Sequence, residues 1–458
     1  MVLQVNLSGN CQTPAVDEKT VFNREAAPMN CDSKPVAAVT AKTPGTAVRR
    51  SLFRLSAAVF ICGITFGALL PVVSIFVGRL LGFSDVVAGT AVSAHFLATL
   101  LTRGYAGRQA DHLGARRSML RGLLSCSAAG VVFAGATLFT GAPVFQLACV
   151  MISRVFSGLG ESQLITGALT WGIGLAGAQR SGKVMAWNGM ALYGAIAVGA
   201  PCGMALVHVG GFALVGIATI GLPLIACLAV LGLSAVAASG GHRSGFREVL
   251  GVVWRPGITL ALQGFGFAAI SSFVSLYFVA RGWANAGLAL SSFGFAFVLV
   301  RLLLGWLPDR LGGYRVALGS MCVEAVGQLI MCLASNAAIA VLGAAVTGAG
   351  CSLMFPALGS MTVKRMPSHS RAIAIGTFTA FQDIAYFVTG PLAGLIASGL
   401  GYKAIFGAGV VTSCAGVAMT VWSKRATSLL ISMRESSDST VEGNCRDAQL
   451  LGVKKTSM

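Results

Sequence analysis

Apolar residues fall in twelve runs of about twenty residues, the length that spans the hydrocarbon core of a bilayer as a helix. They lie near residues 53–78, 86–106, 118–139, 144–172, 184–208, 212–235, 257–280, 286–305, 315–334, 338–363, 372–398 and 403–422. Most connectors are a few residues long, so consecutive helices are expected to run antiparallel and side by side. The exception, residues 237–256, divides the runs six and six. The pattern predicts an all-α membrane protein with 12 transmembrane helices in two six-helix bundles, 52–236 and 257–422, joined by a loop at 237–256. The polar ends, 1–51 and 423–458, read as disordered tails, and the first contains no apolar stretch followed by a cleavage site.

Lys and Arg orient this array, because cytoplasmic connectors retain them. One set of connectors holds Arg108, Arg116, Arg117, Arg180, Lys183, Arg243, Arg247, Arg255, Arg310, Arg315, Lys364, Arg365 and Arg371, whereas the opposite set holds Arg79, Arg281 and Lys403. Both tails and the central loop are therefore expected on the cytoplasmic side. The net charge of +18 is spread along these connectors, which argues against a nucleic-acid partner. Only 10% of residues are charged, against about 25% in soluble domains. The 59 glycines sit inside apolar runs, where small residues let helices approach closely. Nine of the 12 cysteines (Cys62, Cys126, Cys149, Cys202, Cys227, Cys322, Cys332, Cys351 and Cys414) lie within the runs and read as small core residues without a disulfide framework.

The two halves are related. The stretch "RGYAGRQADHLGARR" at 103–117 recurs as "RLLLGWLPDRLGGYR" at 301–315, matching Arg103 with Arg301, Gly107 with Gly305, Asp111 with Asp309, Gly114 with Gly312 and Arg117 with Arg315. A second echo links "SGLG" at 157–160 to "TGAG" at 347–350, and Pro201 to Pro391. Parallel repeats of this kind are a hallmark of secondary transporters.

At these residues the chain, over about 52–425, resembles the major facilitator superfamily (MFS). Its loop motif, Gly-x-Leu-Ala-Asp-Arg-x-Gly-Arg-Arg, is similar to "GRQADHLGAR" through Gly107, Ala110, Asp111, Gly114 and Arg116, and departs from it at Gln109, His112 and Ala115. The copy "GWLPDRLGGY" keeps Gly305, Leu307, Asp309, Arg310 and Gly312. The resemblance implies an MFS fold of two pseudo-symmetric bundles. It also implies a cytoplasmic latch, built from these residues and Arg117, that stabilises the outward-facing state. In the fourth run, Arg154, Gly158 and Gly160 resemble the family's Arg-x-x-x-Gly-x-Gly motif. The fifth, "WNGMALYGAIAVGAPCG", loosely resembles the antiporter motif ending in Gly-Pro, with Ala200 in place of the glycine before Pro201. Ala191, Ala195, Gly199 and Gly203 recur every four residues and offer a smooth packing face. With the preceding "SGKV", this segment looks like the YhhS/YfcJ-type subgroup of MFS exporters, which implies a bacterial inner (plasma) membrane protein, acting as a monomer.

An ionisable group at the bilayer centre costs about 2.5–3.5 kcal/mol on insertion scales, so each survivor needs a partner or a purpose. Arg154 and Glu161 lie two turns apart on one helix face; the others are His95, Glu324 and Asp383. Proton coupling needs a buried carboxylate that loads on one side and releases on the other. Glu161 and Asp383 are the candidates, with Arg154 as a coupling or anion-binding group or a packing clamp, and His95 as a relay or a packing residue. The resemblance puts Glu324 on a peripheral helix, in a structural role. Gln263, Gln382, Phe66, Trp171 and Tyr277 are candidates for the substrate cavity, Tyr277 and the other aromatics competing with plain packing.

These features point to a secondary transporter exporting a small organic compound or drug in exchange for protons. Proton-coupled uptake of a sugar or organic anion is the competitor. No cofactor is expected, the energy source being the proton gradient: the chain holds no Walker A sequence. A polytopic membrane enzyme or sensor fits less well, because the five histidines are dispersed and no output domain stands out.

Overall fold

The computed structural model describes residues 45–139, 141–177, 180–236, 246–364, 366 and 371–425, which are helical with short turns and no strand among them. Eleven helices are long and apolar enough to cross a membrane, and one of them is double. The helix Ser181–Val230 breaks at Gly210 and at Gly211, whose φ of 69° favours glycine. It therefore forms two limbs, α5 (181–209) and α6 (212–230). The others are α1 (Ala47–Leu80), α2 (Asp85–Leu113), α3 (Ala115–Leu138), α4 (Pro143–Ala176), α7 (Val249–Ala280), α8 (Gly287–Leu304), α9 (Gly313–Leu333), α10 (Ala337–Thr362), α11 (Ile373–Leu400) and α12 (Tyr402–Arg425). Twelve crossings follow, one for each apolar run.

Helix boundaries differ from the apolar runs where charge, and not backbone geometry, ended a run. Helix begins at Gly45, inside the segment read as a tail, and α12 continues to Arg425. It begins again at Phe246, so Pro256 lies within a helix that was expected to start after it. There Arg255 stacks on Trp254 and on Trp422 of α12, at 5.2 and 4.8 Å, a cation–π clamp. Residues 1–44, 237–245 and 426–458, the rest of both tails and of the central loop, lie outside the described residues. The stretch expected to be a loop after 106 is the last two turns of α2. The turn itself is Gly114 at φ 89°, and its repeat partner Gly312 has φ 83°, a conformation open to glycine and strained for other residues.

Within the first six helices α1 packs on α5, α3 on α4 and α6, and α2 on α4; among the last six, α9 packs on α10, α7 on α11 and α8 on α10. The main joints between the sets are α2 with α11 and α5 with α8, and α7 also touches α1 and α2. Small residues make these contacts possible. Gly158 lies against the α2 backbone at His95, Gly160 against Gly122 and Cys126 of α3, and Gly199 and Gly203 against α1 at Ile64 to Ala68. Pro201 sits against Gly287 of α8, and a side chain on Gly394 of α11 would come within 2.6 Å of the Val86 Cα of α2.

The cores show how the two sets meet. At the end away from the chain termini, called here the far end, a single apolar core takes Val73, Phe76 and Val92 from the first set together with Phe273, Phe278 and Phe293 from the second. At the terminal end each set has its own core, one around Leu55, Met119 and Trp171 and one around Val253, Met321 and Phe378. The molecule is thus closed at the far end and parted at the terminal end. Tyr402 adds a hydrogen bond to Asp85 Oδ1 across the closed end (2.7 Å). Val131, Phe295, Leu395 and Val411 are exposed on the outside, the apolar surface a bilayer would cover. Cys202, Cys322 and Cys414 share that surface, which corrects their reading as core residues: at these positions the apolar environment lies outside the bundle.

Candidate functional site

Between the two terminal-end cores lies a cavity of about 180 Å³, lined from α2, α4 and α5 on one side and α7, α8, α10 and α11 on the other. Its floor, toward the far end, is aromatic. The hydroxyls of Tyr193 (α5) and Tyr386 (α11) are hydrogen bonded at 3.1 Å, Phe96 packs edge-on against Tyr386, and Phe297 stacks on Tyr193 at 3.8 Å. These rings come from both halves, so the floor is also a joint. Each Tyr keeps its polar tip satisfied while its ring packs.

Beside the floor, α2 and α4 bring three ionisable side chains together. Glu161 accepts a hydrogen bond from His95 Nε2 in an ion-pair contact. Arg154, two helical turns from Glu161, is fully buried and donates to the Val92 carbonyl (3.2 Å), with Nε and Nη1 left without a hydrogen bond. All three, with Phe66, line a small side pocket, and Phe66 and Phe96 hold the His95 ring between them at 5.4 and 5.2 Å. Glu161 also faces the main cavity. A carboxylate between water and an imidazole is a group whose proton can be exchanged.

The other carboxyl candidate, Asp383 on α11, also meets a partner. Arg103 on α2 donates to both of its oxygens, through Nε and, at 2.9 Å, through Nη2. This forked pair sits in the cavity wall and ties the halves together; it and His95–Glu161 are the ion pairs among the described residues. The repeat partner of Arg103, Arg301 on α8, lines the cavity from the opposite half, with its guanidinium 4.9 Å over the Phe297 ring and hydrogen bonded to the Ser352 carbonyl.

A two-fold set of six helices around a cavity with charged walls can be compared with known proteins. The sequence profile of the Major Facilitator Superfamily matches residues 55–286 and 284–442. This chain belongs to the major facilitator superfamily. An uncharacterised MFS-type transporter of Salmonella typhimurium is 44% identical over 356 residues, covering 78% of this chain and 92% of that one. One of Burkholderia mallei is 41% identical over 361 residues, covering 79% and 89%. Among solved structures the fold is similar to a mutant of the nucleoside transporter NupG (TM-score 0.64) and to the human organic anion transporter MFSD10 (TM-score 0.60). Each is 15% identical and covers 81% of this chain and 99% of its own.

Within this MFS frame the remaining predicted residues fall in different places. Gln263 and Gln382 line the cavity, Gln382 donating to the Tyr386 hydroxyl at 2.7 Å. Trp171 does not: it is fully buried in the terminal-end core of the first half and donates to the Ser234 carbonyl (2.8 Å). Nor does Tyr277, which is packed among Phe278, Trp283 and Phe406 at the far end. Both were chosen as aromatics on helices close to the cavity, and helix rotation turns them away. Glu324 is on the inner face of α9, with no exposure and beside Gln263 and Cys351, not on the outer periphery. Of the MFS loop motif, Asp111 and Asp309 are exposed and make no ion pair among the described residues, Gly107 has open space around it, and Arg310 stacks on Trp306 at 4.6 Å. The motif residues Gly305, Arg116 and Arg117 lie at the same parted end, Arg117 exposed.

Arg103, Arg301, Tyr193, Tyr386 and Asn188 were not singled out from sequence as site residues. A signal existed for the arginines. Both fall inside apolar runs, 86–106 and 286–305, where a charge is as costly as Arg154, and both were grouped with the polar repeat that follows.

Proposed function

We propose that this protein is a proton-coupled secondary transporter that exports a small organic compound from a bacterial inner membrane by alternating access. The observation that carries the reading is the Arg103–Asp383 pair, a forked ionic contact between the two halves in the wall of a cavity closed at the far end. Asp383 can hold α11 to α2 only while it is ionised. A proton on it cancels the attraction and frees the two helices to re-pack. Glu161, held by His95 and facing the same cavity, is the second carboxyl at which a proton can load and leave.

The Lys and Arg excess supports placing the terminal end, with both tails, in the cytoplasm, so the cavity here faces the side from which an exporter loads. Bundles 52–236 and 257–422 rock about it, as a monomer, without a cofactor. Asp111 and the neighbouring arginines latch the cytoplasmic side when that end closes. The similarity of the fifth-helix segment to YhhS/YfcJ-type exporters supports the direction.

Everted vesicles with an acidic interior test this reading. Adding a transported compound should dissipate the pH gradient, and should do so only with protein bearing Glu161 and Asp383. Compound accumulation driven by an inward proton flow in right-side-out vesicles, with no response in everted ones, would replace export by uptake.

A further inference from the structure

The ionised side chains that line the cavity are Arg103, Glu161, Arg301 and Asp383. Arg103 and Asp383 neutralise each other and Glu161 is hydrogen bonded to His95, whereas Arg301 forms no ion pair among the described residues. We infer that the cargo is an organic anion with a flat apolar body, its carboxylate or equivalent group held by Arg301.

Three features of the cavity lead to that class. First, the Arg301 guanidinium is fixed and only partly used. The Ser352 carbonyl takes one Nη2 hydrogen and the Phe297 ring lies beneath the plane, while Nε is buried without a partner. Nη1 points toward α5 at Gly189, where a Cβ would come within 3.3 Å of it. Gly189 also lines the cavity, so the missing side chain there is what gives the fork access to a ligand. Second, the adjacent residue of α5, Asn188, lines the same cavity and is 6% exposed, with its Nδ2 donor buried and unpartnered. Spare donors around an uncompensated guanidinium suit an acceptor-only group. A cationic cargo would meet this guanidinium as a like charge. Third, aromatic and aliphatic side chains make up much of the remaining wall, beside the uncharged Thr99, Ser162, Gln263, Thr379 and Gln382. Phe96, Leu192, Phe297 and Phe355 line the same cavity and give a planar ring apolar and aromatic walls to lie against.

The inference rests on the transporter reading for the word cargo, but the site itself is tested by binding alone. The isosteric trio 2-naphthoate, 2-naphthamide and 2-naphthamidine carries charges of minus one, zero and plus one on one flat frame. With the full-length purified protein in detergent and no gradient, the carboxylate should raise the melting temperature, and the amide and amidine should not. Arg301→Gln should weaken naphthoate binding by about tenfold or more, as expected for loss of a charged hydrogen-bond partner. Arg301→Lys should recover part of it, and Gly189→Leu should weaken it by crowding the fork with Arg301 intact. The ligand-free melting temperature of each variant shows that it is folded. An equal response to the amidine or the amide, no response to naphthoate in the parent protein, or full binding by a folded Arg301→Gln protein overturns the assignment. Naphthoate binding without counterflow in proteoliposomes would instead count against the transporter reading and leave the anion site standing.

Discussion

Arg103 of α2 and Asp383 of α11, 280 residues apart in the chain, share two hydrogen bonds in the wall of the central cavity. Breaking a buried ion pair by removing one partner strands the other charge. Arg103→Gln and Asp383→Asn should therefore each destabilise the purified protein, by about 1–3 kcal/mol, below the fully buried limit because Arg103 is part-exposed to the cavity. The double variant Arg103→Met with Asp383→Leu should recover most of that loss, because no charge is left unpaired. Melting curves of the four proteins check this, and strictly additive losses would show that the two residues act independently.

Glu161→Gln should abolish coupled transport while the protein still inserts and keeps its fold, since glutamine retains the size of the side chain and an acceptor for His95. Proton release from everted vesicles is the readout. Wild-type proton movement in this variant would remove Glu161 from the coupling scheme.

Asp111 is exposed and unpaired among the described residues in this conformation. Asp111→Asn should therefore leave the melting temperature of this state unchanged, within the roughly 0.5 kcal/mol typical of surface substitutions, and yet slow transport. A matching loss of stability would mean that the residue already has a structural role here, and unaltered transport would remove it from the latch.

Gly394 meets α2 at Val86 with no room for a side chain. Gly394→Leu should prevent α2 and α11 from closing at the far end, and Gly394→Ala should do so partially. Spin labels across each end of the bundle would then report a wider far end and a narrower terminal end than in the parent protein. Identical distance distributions would place the closing contact elsewhere.

Much of this was legible in the sequence, because burial in a bilayer writes itself as apolar runs. The twelve crossings, the duplication and the four ionisable side chains His95, Arg154, Glu161 and Asp383 could all be read there. The partner of Asp383 could not. Hydropathy marks where polarity rises, and Arg103 stands at such a rise, so it resembled the start of a connector although the helix continues for ten residues, to Leu113. Trp171 and Tyr277 fail for a different reason. Which side of a helix meets a cavity is set by its rotation against neighbours far away in the chain, and the low amphipathicity of intramembrane helices leaves that rotation unmarked. Pairing across the halves, as of Tyr193 with Tyr386, is invisible for the same reason.

The unbroken course of α2 to Leu113 has a mechanical consequence. Its 29 residues make a rod about 40 Å long, with Gly89 pressed on Gly390 of α11 near one end, Arg103 pinned to Asp383 further along, and Asp111 at the other tip. A stiff rod held partway along its length works as a see-saw. In the proposed alternating-access cycle, prising Gly89 from Gly390 would swing Asp111 with the ion pair as fulcrum, and a proton that loosens the pair would change where the see-saw turns.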